Sequence, residues 1–265
     1  MRSKDKKRVR MTKHGHHLVS VIMPMHNSER YVGKAIESVM GQTYPHWELL
    51  VVDDGSTDRS CDVVRAYARQ DNRIQLLIND SPVGMPSAPR NYGIERAKGD
   101  FIAFLDSDDV WLREKIAQQL PYFFRDNRTA VVFSDYEKVD EKGHRSARVV
   151  STPRKTSYQQ LLYGNVIGNL TGMFDVRKVG KYYFKNIHHE DYAFWLSVLK
   201  SGYIARSTQT VLALYRVRRA SVSSSKLRIV PWQWRIYRDV EHIGLLRSLY
   251  YYMFYAVRGL RKSLI

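Results

Sequence analysis

Short apolar runs alternate, through the first half of the chain, with segments in which apolar residues recur every three or four positions. Residues 18–25 form an apolar run, and residues 47–54 contain the apolar run LLVV; both are typical of strands buried on both faces. The segment between them has Val32, Ala35 and Ile36 at helical spacing. The same alternation predicts further strands at 73–80, 100–109 and 129–140, and helices at 28–42, 57–70, 86–99 and 110–124.

This alternation predicts an α/β protein with a mostly parallel sheet sandwiched by helices. In such sheets, ligands bind beyond the carboxyl ends of the strands. Three of the predicted strands end in polar segments, which are PMHNS at 24–28, DDGSTD at 53–58 and DSDD at 106–109. We therefore expect these three segments to lie on one rim of the sheet, where a ligand binds.

The pattern becomes less regular after residue 137. A polar stretch predicts a loop or hairpin, a short helix follows, and a longer helix ends at Gly202. The next residues alternate like an edge strand or a hairpin, and the end of the chain is aromatic and basic. In the same order, the loop or hairpin covers 137–155, the short helix 156–169, the longer helix 188–202, the edge strand or hairpin 203–219 and the aromatic, basic end 226–265.

Three carboxylates cluster in the sequence FIAFLDSDDVW at the end of the fourth predicted strand. Asp109 directly precedes a predicted helix, where it would cap free N–H groups. Capping does not explain Asp106 and Asp108, whose like charges are unfavourable together unless a cation neutralises them. Both can reach one Mg²⁺ or Mn²⁺ ion, which takes its other ligands from water and phosphates. The cluster therefore predicts a site for a divalent metal and a diphosphate.

A second acidic pair, Asp53 and Asp54, ends the second predicted strand. Asp, Gly, Ser and Thr favour turns, so one interpretation is a turn without further function. A carboxylate at this rim can also accept a hydrogen bond from a base N–H or a ribose hydroxyl. Because a second acidic cluster is expected on the same rim, we favour nucleotide binding.

The overall charge favours an anionic partner. The 265 residues include 43 Lys and Arg against 26 Asp and Glu, a net charge of +17. No nucleic-acid-binding motif accompanies this charge, so we do not expect nucleic acid as a partner. Residues 1–17 are basic with no apolar core after them, which predicts a disordered tail rather than a secretory signal. The single Cys61 excludes a disulfide framework.

The C-terminal segment combines aromatic and basic residues. Residues 206–265 contain 12 Lys and Arg and 2 Asp and Glu, and the apolar stretches are too short to span a bilayer. Tyr and Trp favour the membrane interface, and Arg can extend to anionic headgroups. One prediction is that amphipathic helices at 226–265 lie on a membrane face. The alternative is that their aromatic residues pack on the core or on a partner.

Taken together, VSVIMPMHNS, VVDDGSTD, APRN and FIAFLDSDDVW resemble the inverting family 2 glycosyltransferases, which have the GT-A fold. The resemblance is continuous over residues 19–111 and weaker to about residue 202. It implies transfer of a sugar from a nucleotide-sugar donor, usually UDP-linked, with a divalent metal (Mn²⁺ or Mg²⁺). It also implies a glycan or lipid-linked acceptor in a bacterial surface-polysaccharide pathway, and a cytoplasmic protein peripheral on the inner face of the membrane.

The resemblance assigns several residues to the nucleotide. Pro24 and His26 would line the base pocket, although the family more often has Tyr where this chain has His26. Asp54 would hydrogen-bond the uracil, and Asp53 would support that loop. Arg90, in APRN where the family often has ARN, would reach the nucleotide or the diphosphate.

It also assigns the metal and the catalytic base. Asp108 would be the main metal ligand, and Asp106 would contact the ribose or the metal. Asp191 would be the catalytic base and Glu190 a contact on the acceptor or sugar side. The N-terminus of the predicted helix favours an ionised Asp191, as a base requires, although a helix cap or surface acid is the alternative. We expect His189 near the acceptor rather than on a metal, because no HExxH spacing is present.

The predicted organisation is therefore a tail, a GT-A domain and an appendage. The GT-A domain at 18–225 would have a nucleotide-binding half at 18–110 and an acceptor half at 111–225. A sugar-1-phosphate nucleotidyltransferase is disfavoured, because the first loop lacks the glycine cluster of that class. A non-catalytic basic adaptor for anionic lipid or nucleic acid remains an alternative, but it would not need the rim acids or Asp191.

Overall fold

One mixed sheet organises the protein, in a computed structural model that describes residues 17–80, 84–217 and 226–264. Its strands are β1 Val19–Met25, β2 Trp47–Asp53, β3 Ile74–Ile78, β4 Phe101–Phe104, β5 Val110–Trp111, β6 Thr129–Val139, β7 Arg145–Val150, β8 Lys155–Ser157, β9 Met173–Asp175 and β10 Ile204–Arg216. The helices are α1 Val32–Met40, α2 Ser60–Ala68, α3 Ser87–Arg96, α4 Lys115–Arg125, α5 Tyr158–Leu161, α6 Val176–Val179, α7 Glu190–Leu199, α8 Lys226–Arg235 and α9 Leu245–Leu264. A 3-10 turn at Asn169–Thr171 and a π-helical turn at Ile236–Val240 complete the elements of this part of the chain.

The strands follow the order β3-β2-β1-β4-β9-β6-β10-β5, with β7 beside β6 and β8 beside β10. The first four strands of this order are parallel. β9 is antiparallel to both of its neighbours, and β10 runs parallel to β6. The predicted α/β fold is confirmed, and the sheet becomes mixed beyond β4. The strand predicted at 203–219 is present as β10, but it is neither a hairpin nor an edge strand, because β6 pairs with one side of it and β5 and β8 pair with the other.

Helices cover both faces of the parallel strands, so successive residues of one strand enter two different cores. In β1, Val21 and Met23 join the core formed with α1, α2 and α4, whereas Ile22 joins the core formed with α3 and α7. All seven residues of β2 are buried. This double burial explains why the strands appear in the sequence as continuous apolar runs rather than alternating ones.

The predicted shared rim is present. The strands β1, β2 and β4 end side by side, and the loops that follow them are hydrogen-bonded together. The Asp54 amide donates to the Met25 carbonyl at 2.9 Å, and the hydroxyls of Ser28 and Ser107 lie 2.8 Å apart. The three polar segments therefore meet at one edge.

Asp109 does not cap a helix, which corrects the prediction made from its position. The two residues after it form β5, and α4 begins only at Lys115. Asp109 is buried, and one of its carboxylate oxygens accepts a hydrogen bond from the Arg216 amide at 2.8 Å. The pairing of β5 with β10 therefore outweighs the local preference for a helix start.

The two ends of the chain are packed to different degrees. His17, the last residue of the predicted tail, stacks on Phe124 with ring centroids 5.2 Å apart, while residues 1–16 lie outside the described residues. In the C-terminal appendage, Tyr237 is fully buried and its hydroxyl donates to the Leu162 carbonyl at 2.6 Å. One part of the appendage therefore packs on the body of the protein. Within the described part of the chain, no helix combines the length and apolar character that crossing a membrane requires.

Gly93 allows α3 to approach the sheet closely. A Cβ atom at this position would lie 2.7 Å from Ile22 Cγ2 and 3.2 Å from Val52 Cγ2. We expect Gly93→Ala to lower the free energy of unfolding by about 1–3 kcal/mol, because α3 would have to move away from the sheet. Chemical denaturation measures this loss.

Gly33→Ala is the matched control, because a Cβ there would make only ordinary contacts with Tyr67. We expect this variant to be neutral or slightly stabilised, since Ala favours a helix more than Gly does. Equal destabilisation of both variants would contradict the close approach of α3.

Candidate active site

The nucleotide side of the rim is built from the loops after β1 and β2. Asp54 is buried, and its Oδ1 accepts a hydrogen bond from Asn79 Nδ2 at 2.6 Å. Asp53 Oδ2 accepts from the Ser56 amide at 3.1 Å, so Asp53 holds the turn that carries Asp54. The exposed His26 has Nδ1 3.0 Å from the Asp54 carbonyl oxygen.

Pro24 lies one residue before the end of β1, opposite Val52 of β2. The structure therefore brings Pro24, His26, Asp53 and Asp54 together at one edge. Their contact with a nucleotide stays a prediction.

Arg90 connects the rim to the second half of the protein. Its side chain is 6% exposed, and its Nη2 donates to Asp106 Oδ1 at 2.7 Å while its Nη1 donates to Glu190 Oε1 at 2.8 Å. Burial alone would lower the pKa of Arg90, but Asp106 and Glu190 outweigh it and raise that pKa. Arg90 is therefore charged and bridges the ends of β4 and α7.

The DSDD loop brings three carboxyl groups close together. Burial, followed by the charges of Asp106 and Asp108, raises the pKa of the Asp109 carboxyl well above its usual range. The second oxygen of Asp109, Oδ2, is buried without a hydrogen-bond partner. This crowding fits a cation on the exposed side of the loop. In the described residues, no group of three or more Asp, Glu, His or Cys side chains could hold a metal ion by itself. A divalent ion on Asp106 and Asp108 would thus take its further ligands from water and from phosphate oxygens.

Arg216 is a site residue that the sequence did not reveal. It is buried at the end of β10, and its Nε donates to the Asp108 carbonyl at 2.8 Å. Its Nη1 also donates to the carbonyls of Asp140 and Glu141, at 3.1 and 2.9 Å. Arg216 therefore fixes the backbone of the loop that carries Asp108. The available signal was a single Arg within the apolar pattern LALYRV.

Asp191 is the second residue of α7 and is partly buried. Asn165 Nδ2 donates to its Oδ2 at 3.1 Å. Burial and then the neighbouring Glu190 raise the pKa of Asp191 to about 6. Burial and Glu190 therefore outweigh the favourable effect of Arg90 and the helix N-terminus on this pKa, but with a pKa of about 6 the carboxylate is still mostly ionised above pH 7.

A cavity of about 550 Å³ lies against Asp191. Aromatic side chains form much of its wall, and His189 also lines it. Burial lowers the pKa of His189, which favours a neutral ring. His188 turns away and stacks on Trp232, with ring centroids 4.1 Å apart. The aromatic lining residues are Tyr136, Tyr163, Tyr192 and Tyr255.

An α/β sheet whose acidic rim is joined through Arg90 and Glu190 to a cavity lined by Asp191 fits the class of group-transfer enzymes. The family model described as Glycosyl transferase family 2 matches residues 20–180. The chain belongs to this family, and it is a glycosyltransferase. The resemblance stated from the motifs is confirmed, and the comparisons give no support to the alternative of a non-catalytic basic adaptor.

Two curated relatives match nearly the whole chain. The putative teichuronic acid biosynthesis glycosyltransferase TuaG of Bacillus subtilis is 35% identical over 248 residues, covering 93% of this chain and 98% of TuaG. The Escherichia coli protein WfgD, named as a UDP-Glc:alpha-D-GlcNAc-diphosphoundecaprenol beta-1,3-glucosyltransferase, is 37% identical over 247 residues, covering 93% of this chain and 95% of WfgD.

Solved structures confirm the fold. TarS 1-349 of S. aureus in complex with UDP has a TM-score of 0.67 at 20% identity, covering 92% of this chain and 72% of TarS 1-349. The mannosyltransferase PcManGT of Pyrobaculum calidifontis, in complex with GDP-Man and Mn²⁺, has a TM-score of 0.66 at 18% identity, covering 88% of this chain and 69% of PcManGT.

Proposed function

We propose that the protein transfers a hexose from a UDP-sugar to a hydroxyl of a sugar carried on a lipid diphosphate, with inversion at the anomeric carbon. The observation that carries the proposal is the position of Asp191, which lines the cavity next to the Arg90 bridge to the acidic rim. The names of WfgD, which gives UDP-Glc and a diphosphoundecaprenol acceptor, and of the TarS complex with UDP-GlcNAc support the substrate classes.

In the proposed reaction, the acceptor hydroxyl lies in the cavity and Asp191 takes its proton. The acceptor oxygen forms a bond to the anomeric carbon while the bond from that carbon to the UDP oxygen breaks. The electron pair leaves on the diphosphate. Because one displacement occurs from the face opposite the leaving group, the anomeric configuration inverts, as in single-step glycoside hydrolysis.

Arg90 has a positioning role in this scheme. Its two ion pairs hold Asp106 of the donor rim and Glu190 of the acceptor side at a fixed separation. Because both of its Nη groups are bonded to carboxylates, Arg90 acts mainly by keeping the donor and the base at a fixed distance from each other. Glu190 and His189 are proposed to contact the sugar or the acceptor beside Asp191.

A divalent ion, Mn²⁺ or Mg²⁺, belongs to the proposal. Asp108 and Asp106 would hold it, and when bound it would neutralise the charge of the departing diphosphate. The Mn²⁺ named with the structural relative PcManGT supports this choice. Asp106 gives one oxygen to Arg90, which leaves its second oxygen for the ion.

We expect Asp108→Ala to remove the dependence of donor binding on Mn²⁺. In the unaltered protein, UDP at 100 times its Kd should add about 2.7 kcal/mol of stability when Mn²⁺ is present. Thermal shift with UDP, with and without Mn²⁺, measures this difference. Asp62→Ala is the control, because Asp62 is an exposed carboxylate on α2. A variant lacking Asp108 that still needed Mn²⁺ for UDP binding would overturn the assignment.

The transfer itself is tested with a panel of UDP-sugars and GDP-mannose, using GlcNAc-diphosphoundecaprenol in detergent as the acceptor. The expected result is one radiolabelled lipid product from a UDP-sugar. The configuration of the new linkage, determined by NMR, should be opposite to that of the donor. Retention of configuration, or transfer from GDP-mannose alone, would contradict the proposal.

A further inference from the structure

Helix α9 packs on the protein through one face and is apolar on the opposite face. On its inner face, Ser248 is fully buried, and Tyr251 and Tyr252 pack against the core. The outer face presents six exposed apolar side chains, which we call the α9 stripe: Leu245, Leu246, Leu249, Tyr250, Met253 and Phe254.

The exposure of the α9 stripe is unusual for a helix in water. Leu246 is 82% exposed and Met253 is 54% exposed. Six of the ten large exposed apolar residues in the described part of the chain lie on this one helix. A helix that already packs one face on the protein normally turns a polar face to solvent. A contiguous apolar patch therefore indicates a surface that an apolar partner covers.

The α9 stripe is continuous with the catalytic cavity. Tyr163 lines the cavity together with Asp191. The centroid of its ring lies 5.4 Å from the ring centroid of Phe254 and 6.1 Å from that of Tyr250. From α9 itself, Tyr255 lines the same cavity and follows directly after the stripe residue Phe254. An apolar path therefore connects the outer face of α9 to the site of the base.

We propose that the α9 stripe binds the hydrocarbon chain of the lipid-linked acceptor, with Tyr163 and Tyr255 as the passage through which its sugar reaches Asp191. This inference rests on the proposed function. It adds a lipid subsite formed by the C-terminal appendage, which none of the assigned residues includes.

Charge favours a lipid diphosphate over a second copy of this chain as the occupant. Arg247 is exposed on α9 next to the stripe, and the sequence of α9 contains four Lys and Arg residues and no Asp or Glu. Two such surfaces would repel each other, whereas the diphosphate of the acceptor is an anion. The apolar chain and the charged headgroup thus match the two properties of this surface.

The test compares two acceptors with the same sugar diphosphate, one on a long isoprenoid chain and one on a short, water-soluble alkyl chain. Both are assayed in detergent, without a bilayer. The variant is Leu246→Ser/Leu249→Ser/Met253→Ser, whose folding is checked by circular dichroism. We expect the preference for the long chain, measured as the ratio of the two kcat/KM values, to fall by about tenfold. Tyr183→Ser, an exposed aromatic residue outside the appendage, is the control and should keep the preference.

The outcomes separate the possible occupants. An unchanged preference together with lost binding to empty vesicles would mean that the stripe contacts only the bilayer, and it would overturn the proposal. A change from dimer to monomer on gel filtration, with the preference unchanged, would assign the stripe to a second copy and would also overturn it. If the unaltered protein transferred sugar to neither acceptor, the proposed function itself would fail.

Discussion

Asp191→Asn should lower kcat for sugar transfer by about 10²–10⁴-fold, which is the usual contribution of a positioned general base. The amide keeps the shape of the side chain and its contact with Asn165 in the cavity, but it cannot accept the acceptor proton. The Kd for the UDP-sugar should stay unchanged, because donor binding is assigned to the opposite side of the Arg90 bridge. Radiolabel transfer and donor thermal shift measure the two quantities.

The pH profile gives a sharper version of this test. With the pKa of Asp191 raised to about 6, transfer should fall as pH decreases below that value, because the protonated carboxyl cannot act as a base. The residual activity of Asp191→Asn should not show this decrease at low pH. Asp62→Asn, at an exposed position of α2, should keep the full rate and profile. Full activity in Asp191→Asn would exclude Asp191 as the base and would make Glu190 the next candidate.

The same raised pKa affects stability. The folded protein binds the Asp191 proton more tightly than the unfolded chain does. The stabilisation from the protonated carboxyl is therefore present below about pH 4 and is lost as pH rises through about 6. At pH 8, the ionised carboxylate costs folding free energy. Asp191→Asn should then be more stable than the unaltered protein, by on the order of 2 kcal/mol. This result would show that the site keeps a buried carboxylate at the expense of stability.

The sequence predicted the fold and the rim well because both depend on local patterns. A strand covered on both faces favours a largely apolar run, as in β1 and β2, and a cluster of polar residues after such a run indicates the end of the strand. The ends of parallel neighbours meet at one edge, so the acids of the second and fourth strands could be brought together without coordinates.

Contacts between distant parts of the chain were not predictable in the same way. Arg90 and Glu190 are 100 residues apart, and Arg216 reaches Asp108 across 108 residues. The helix start expected at Asp109 was wrong because pairing with β10 is a tertiary interaction. The pKa of Asp191 likewise depends on burial, which the N-terminal position in α7 does not reveal. Local sequence identified the chemical groups, but only the packed structure defines their protonation and partners.

Arg90→Ala should lower the free energy of unfolding by about 3–5 kcal/mol, because it leaves Asp106 and Glu190 without their shared cation in a partly buried site. Chemical denaturation at pH 7.5 measures this loss. Arg96→Ala, at an exposed position of the same helix, should change stability by less than about 0.5 kcal/mol.

A double variant separates the bridge from general damage to α3. If the loss comes from unpaired carboxylates, Arg90→Ala/Glu190→Gln should recover part of the stability, since one of the two uncompensated charges is removed. Arg90→Lys should remain less stable than the unaltered protein, because an ammonium group lacks the planar fork that reaches both carboxylates. The proposed role would be contradicted if the double variant recovered no stability and Arg90→Lys were as stable as the unaltered protein. Arg90 would then act only as a positive charge and would not hold Asp106 and Glu190 at a fixed separation.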